Sequence, residues 1–138
     1  MNNDSNLNRE FPQPALEPWP EPVDGNLLLL EMVQVLRLMV VLPKWAAETL
    51  ALWILHTYAF LWRNVSTYVG IESPEKQCGK TTLLTLLSQL VCRPEIAANI
   101  SPSAFFRVIE ETRPTLLIDE GDTFLKKHEE LRGILNAG

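Results

Sequence analysis

The stretch Ser73-Pro74-Glu75-Lys76-Gln77-Cys78-Gly79-Lys80-Thr81-Thr82 sets a glycine, a lysine and two hydroxyls at the head of an apolar run. Those residue types in that order suit the handling of a polyphosphate. Gly79 lets the backbone curl until successive N–H groups point at phosphate oxygens. Lys80 is a point charge that can reach β- and γ-phosphates, and the Thr81 hydroxyl can ligate Mg²⁺. A helix starting there adds the positive end of its dipole. The expected nucleotide cradle is therefore Glu75, Lys76, Gln77, Cys78, Gly79, Lys80, Thr81 and Thr82. One position departs from the general Walker A pattern. Pro74 stands where the first glycine belongs, so the turn must tolerate a φ of about −65°. The cradling amides lie further on, and no needed donor is lost.

A second stretch, Leu116-Leu117-Ile118-Asp119-Glu120, is an apolar run that ends in two carboxylates. Read as a strand of an open α/β sheet, it delivers them at the C-terminal end, where ligands gather. Asp119 is then placed to hold Mg²⁺ opposite Thr81. Glu120 is placed to polarise the attacking water as general base, with Lys80 as its catalytic companion on the phosphates. Either motif alone has an ordinary explanation: a chance Gly-Lys-Thr before a helix, or a strand that ends in solvated acids before Gly121. Together, with a β-prone run ahead of the loop and an apolar helix behind it, they support each other. Asp119-Glu120-Gly121-Asp122 is also similar to the four-letter box of superfamily 2 helicases, but no other motif of that superfamily occurs. No guanine-reading Asn-Lys-x-Asp segment is present either, which favours ATP over GTP.

The elements that must position these residues follow from periodicity. Residues 1–25 hold five of the ten prolines and five acids against the single base Arg9, so they read as an extended, flexible arm. Within it, Phe11 and Trp19 are the residues able to dock on the folded part. Residues 26–64 read as a helical hairpin. Over 26–42, Glu31, Gln34 and Arg37 make one polar stripe on an otherwise apolar cylinder, which predicts a mostly covered helix. Pro43 suits the first position of a second helix, 44–63, read as buried, with His56 as a core or boundary residue. Residues 65–138 read as a partial nucleotide-binding core: strand 67–71, loop, helix 80–91, a β-prone piece at 97–100, helix 102–112 capped by Ser101, strand 115–118 and helix 124–136. That alternation predicts an α/β fold, a parallel sheet flanked by helices.

Composition excludes several classes. The 138 residues suit one domain, and 46% hydrophobic content can build a core. The net charge of −5 comes mostly from the arm, so no basic footprint for nucleic acid appears and a DNA-binding adaptor has no support. Cys78 and Cys92 have no metal-ligand spacing, and the polar start lacks a leader pattern, which predicts reduced thiols and a cytoplasmic place. The uninterrupted apolar run within 45–62 is too short for a membrane span.

Three segments together carry a family resemblance. They are Leu16-Glu17-Pro18-Trp19-Pro20-Glu21-Pro22-Val23-Asp24-Gly25, Ser73-Pro74-Glu75-Lys76 leading into Cys78-Gly79-Lys80-Thr81-Thr82, and Arg113-Pro114-Thr115-Leu116-Leu117-Ile118-Asp119-Glu120. With Glu129-Glu130-Leu131-Arg132-Gly133-Ile134-Leu135-Asn136, the chain resembles the N-terminal part of an uncharacterised P-loop ATPase family of bacteria, phages and mobile elements. Members of that family often sit beside or are fused to primase-helicase modules. A proline at the position of Pro74 is usual there, while Gly121 replaces the usual alanine. The resemblance implies ATP and Mg²⁺ as ligands, DNA or a primase-helicase protein as partner, and an oligomer as the form of the full ATPase. The expected fold is an incomplete ASCE/AAA+-like P-loop core behind a helical hairpin. In that class a further strand, later in sequence, lies between the loop strand and the acidic strand and carries the γ-phosphate sensor. The sequence reaches Gly138 one helix after Glu120, so the expectation is a fragment that binds nucleotide and hydrolyses it poorly by itself. The rival expectation is a non-catalytic nucleotide-binding or assembly module.

Overall fold

The computed structural model describes residues 19–62, 67–72, 79–97 and 102–119. The arm up to residue 18, the loop residues Glu75, Lys76, Gln77 and Cys78, the cap Ser101, the carboxylate Glu120 and the helix expected over 124–136 lie outside them. Among the described residues the fold is mixed, with four α-helices and a two-stranded parallel sheet.

Asp24 starts α1, Gly25–Met39, its carboxylate accepting the N–H of Asn26 at 2.8 Å and of Leu27 at 3.3 Å. Such a cap satisfies amides that a helix start leaves unpaired and contributes about 1 kcal/mol. The expected run to residue 42 stops earlier because Val40 turns extended, while Pro43 disfavours helix at the residue before it. Helix α2, Ala46–Tyr58, also starts later than expected. Pro43 does not open it. Instead the Pro43 carbonyl accepts the Ala46 N–H at 3.1 Å, and Trp45 serves as N-cap with a left-handed φ of 67°. A 3-10 turn, Phe60–Trp62, replaces the last stretch expected to be helical. An exposed ion pair between Arg37 and Glu48 links the two helices, a minor contribution beside apolar burial.

The hairpin is covered on one face only. Met32 and Leu36 of α1 are buried against Ala47, Leu50, Ala51 and Ile54 of α2. The opposite side of α1 shows Leu27, Leu30 and Leu38 to solvent, as α2 shows Leu52, so neither helix is covered as its apolar content predicted. The physical reason is topological: α1 packs against α2 and α3, and both lie on the same side of it. Trp19 is 74% exposed and does not dock. Among the described residues no helix is long and apolar enough to cross a membrane.

Helix α3, Lys80–Leu90, adds Leu83 and Leu87, and Val91 beyond its end, to the hairpin's core. The end of α2 grips the turn that follows. Thr57 Oγ1 accepts the Cys92 N–H at 3.0 Å, and the Tyr58 hydroxyl donates to the Leu90 carbonyl at 3.0 Å. Burial first, and the neighbouring Cys92 second, raise the Tyr58 phenol above its ordinary value.

Strand β1, Pro94–Ala97, helix α4, Pro102–Thr112, and strand β2, Thr115–Ile118, form a βαβ unit. The register pairs Pro94 with Thr115 and Ala97 with Ile118. It is set at the strand entrance, where Thr115 donates its N–H to the Arg93 carbonyl at 2.9 Å and its hydroxyl to the Cys92 carbonyl at 2.6 Å. The strand has Pro94 as first residue, a position a proline tolerates; of the β-prone piece expected at 97–100, Ala97 closes the strand and the rest lies outside the described residues. Side chains of β2 alternate between two cores. Leu117 joins the hairpin cluster, while Leu116 and Ile118 join Ala97, Phe106 and Ile109 under α4. One face thus packs under α4, while on the other Leu117 is buried and its register partner Ile96 stays half exposed.

The strand expected over 67–71 does not form. Residues 67–72 carry no strand pairing, and the Thr67 carbonyl accepts the Trp53 indole N–H at 3.1 Å. Val69 and Ile71 pack on the main core, so this β-prone chain buries its apolar side chains there without pairing as a strand.

Leu36 is fully buried where α1, α2 and α3 meet. Leu36→Ala is expected to lower the unfolding free energy in denaturant by about 2–5 kcal/mol, and Leu38→Ala, at the exposed face, by less than about 0.5 kcal/mol. Equal losses would contradict the one-sided hairpin.

Candidate functional site

Gly79 heads α3 with φ 81° and ψ 10°, a left-handed conformation that costs other residues about 1–2 kcal/mol. Space is not what demands the glycine. A Cβ there would meet Val40 Cγ1 at 3.7 Å, an ordinary contact, so the constraint lies in the backbone. The Gly79 carbonyl accepts the Leu83 N–H at 2.9 Å and so starts the helix, while Gly79 itself has no side chain to fold over the first amides.

The helix divides its residues cleanly. Leu83 and Leu87 are buried in the core, which leaves Lys80, Thr81 and Thr82 exposed on the first turn. The Thr85 hydroxyl bonds back to the Thr81 carbonyl at 2.9 Å, one turn along. Amides, an ammonium group and two hydroxyls thus share one solvent-facing turn at the positive end of a helix dipole. This donor set fits a phosphate group. It also fits Mg²⁺ held in the usual way, by one or two protein oxygens with phosphate and water supplying the rest. Among the described residues no three His, Cys, Asp or Glu side chains gather as a metal cluster.

Asp119 stands on a different element. It follows Ile118 directly at the C-terminal end of the parallel pair, half-buried and engaged with a neighbour. Gly79, Lys80, Thr81 and Thr82 are brought together by adjacency, whereas Asp119 depends on the fold to approach them. Glu120 and residues 75–78 lie outside the described residues. His56 is half-buried on α2, away from the first turn of α3 in sequence and in element. What sequence reasoning missed is that Val40, at the end of α1, lies near Gly79. No pattern in the chain could have signalled it, since the two lie on elements joined only through the tertiary core.

Gly79→Ala is expected to reduce stability by roughly 1–2 kcal/mol, read by denaturant unfolding, because alanine resists the left-handed region. A neutral or stabilising result would mean that this glycine does not hold the conformation described.

Compared with protein-family models, with curated proteins and with solved structures, the chain matches none of them.

Proposed function

We propose that the chain binds ATP at residues 79–82 and that its acidic strand end serves the hydrolysis of the bound nucleotide. The observation that carries this reading is Gly79 in left-handed conformation at the head of α3, with Lys80 and Thr81 exposed behind it. Lys80 neutralises the β- and γ-phosphates, and the amides of the first turn hold their oxygens. Thr81 and Asp119 would hold Mg²⁺, which supplies charge neutralisation at the phosphates when bound. Glu120 would take the proton of the attacking water, so that Lys80 and Glu120 are the proposed catalytic residues.

Topology supports bringing the two halves together. Residues 91–93 join the end of α3 to the start of β1, and α3 shares its core with Leu117 of β2. Eleven helical residues rise about 16 Å and four strand residues about 13 Å. A helix that runs antiparallel to the strands thus begins near the level of their C-terminal ends, where Asp119 stands. The finer fold reading, an incomplete ASCE/AAA+-like P-loop core, belongs to this proposal. So do a role in DNA replication or processing in a phage or mobile element, a primase-helicase partner and an oligomeric full ATPase, which rest on the resemblance.

One observation favours a second reading, a nucleotide-binding or assembly module without turnover. Residues 67–72 pack on the hairpin core without strand pairing, so the chain leading to the loop is not tied to the acidic strand through a shared sheet.

Titration of a fluorescent ATP analogue with Mg²⁺ is expected to saturate, and Lys80→Ala to weaken binding by about 10- to 100-fold, the loss of a charge-assisted contact. Undiminished binding by the folded Lys80→Ala chain would remove the phosphate-site reading. Any phosphate release by the unsubstituted chain should be abolished by Glu120→Gln while binding persists. Release that survives this change would remove Glu120 from the chemistry, and a chain that binds without any release supports the module.

A further inference from the structure

We propose that the uncovered face of α1 is the seam of a symmetric dimer, in which α1 pairs antiparallel with α1 of a second copy of this chain. The inference stands apart from the nucleotide reading, since it uses only residues of the hairpin. At 3.6 residues per turn, Leu27, Leu30 and Leu38 lie within about 40° of Gln34 around the helix, while buried Met32 and Leu36 lie about 160° from it. All four residues of this stripe are exposed, Leu38 at 84%. A helix in water normally turns an apolar stripe onto other structure. The second stripe of α1 has none within its own chain.

The order of residues along the stripe says what covers it. Gln34 is its midpoint. Leu30 and Leu38 stand four residues before and after it, and Glu31 and Arg37 three before and after. A two-fold axis at Gln34 therefore brings Leu30 of one copy level with Leu38 of the other, and Glu31 level with Arg37, acid to base. A parallel pair would set Glu31 level with Glu31 and Arg37 with Arg37, and like charges at one level are unfavourable. At the axis the two Gln34 amides meet, and each NH₂ can donate to the other's carbonyl. One polar residue inside an apolar seam fixes register and orientation. Leu27 then reaches the corner of the second copy, where Val41 is fully exposed. Arg37 already holds Glu48 of its own chain, yet its side chain is 57% exposed and its fork has donors for a second carboxylate. The seam is one patch meeting itself, which closes at two copies. A 15-residue helix is about 22 Å long and 10–12 Å across, a footprint below the roughly 800 Å² per partner of a standard interface. The dimer is accordingly weak, with a dissociation constant on the order of tens of micromolar.

Sedimentation velocity of the full chain is expected to show monomer at about 1 µM and mostly dimer at about 300 µM. Leu38→Glu is expected to weaken association at least about 30-fold, because it places a carboxylate in the apolar seam, and to leave the unfolding midpoint of the dilute chain unchanged. Cysteine cross-linking reads the orientation. Under mild oxidation Gln34→Cys, on the axis, is expected to give a covalent dimer that the unsubstituted chain does not. Leu27→Cys is expected to give none, since its two copies lie about 21 Å apart along the seam, three times the reach of a disulfide. Monomer throughout the concentration range, the result expected if this face belongs to a different protein, overturns the inference. So does a dimer that Leu38→Glu leaves intact, or one that Leu27→Cys cross-links as readily as Gln34→Cys.

Discussion

Burial of Leu36, Ile54 and Leu87 in one contact cluster is the constraint on which the described structure depends. Each side chain comes from a different helix, and each contributes roughly 1.5–3 kcal/mol on leaving water. Because the three meet, the hairpin and the helix that follows the glycine loop cannot be placed independently. Ala47 and Ala51, one helical turn apart and almost fully buried, keep the α2 surface low where the neighbours approach. The exposed far side of α1 is the other consequence of the same geometry, since one stripe of a helix can face one core.

The sheet is tied to this cluster through Leu117 and released from it one residue to either side. Leu116 and Ile118 turn to α4, so a four-residue strand carries two cores at once. Such a short pair has little hydrogen bonding of its own, and its position comes from Thr115 bonded to Cys92 and Arg93 at the entrance. The same turn is gripped by Thr57 and Tyr58 of α2. Hairpin, loop helix and acidic strand are therefore linked through polar contacts at one end of α3 and apolar ones along it. At the other end of α3, Gly79 and Lys80 meet solvent, and the dipole of the helix is left available to an anion.

Much of this was legible in the residues. The helix from Lys80 followed from leucines at helical spacing behind Gly79, and the Pro102–Thr112 helix from a proline suited to a first turn. The strand Thr115–Ile118 matched its β-branched and apolar run to the residue. The parallel pairing followed from the alternation of elements. Less legible were the ends of α1 and α2, where the expected proline start gave way to a left-handed Trp45. Least legible was the stretch 67–72, whose β-prone Val69 and Ile71 pack on the core without pairing as a strand. Strand propensity measures fit to a half-buried pleated surface, and it does not choose the surface.

By itself the sequence determined which residues have the chemistry for phosphate: Gly79, Lys80, Thr81 and Thr82 are consecutive, and adjacency needs no fold to bring them together. It also determined element types, because helical and strand periods are properties of short segments. Only the tertiary structure decided that Val40 lies near Gly79, that Leu117 faces one core and Leu116 another, and that the apolar stripe of α1 stays half uncovered. Those outcomes depend on contacts between residues distant in the chain. Their energies arise from shape and volume matching among several elements at once, which no local pattern encodes.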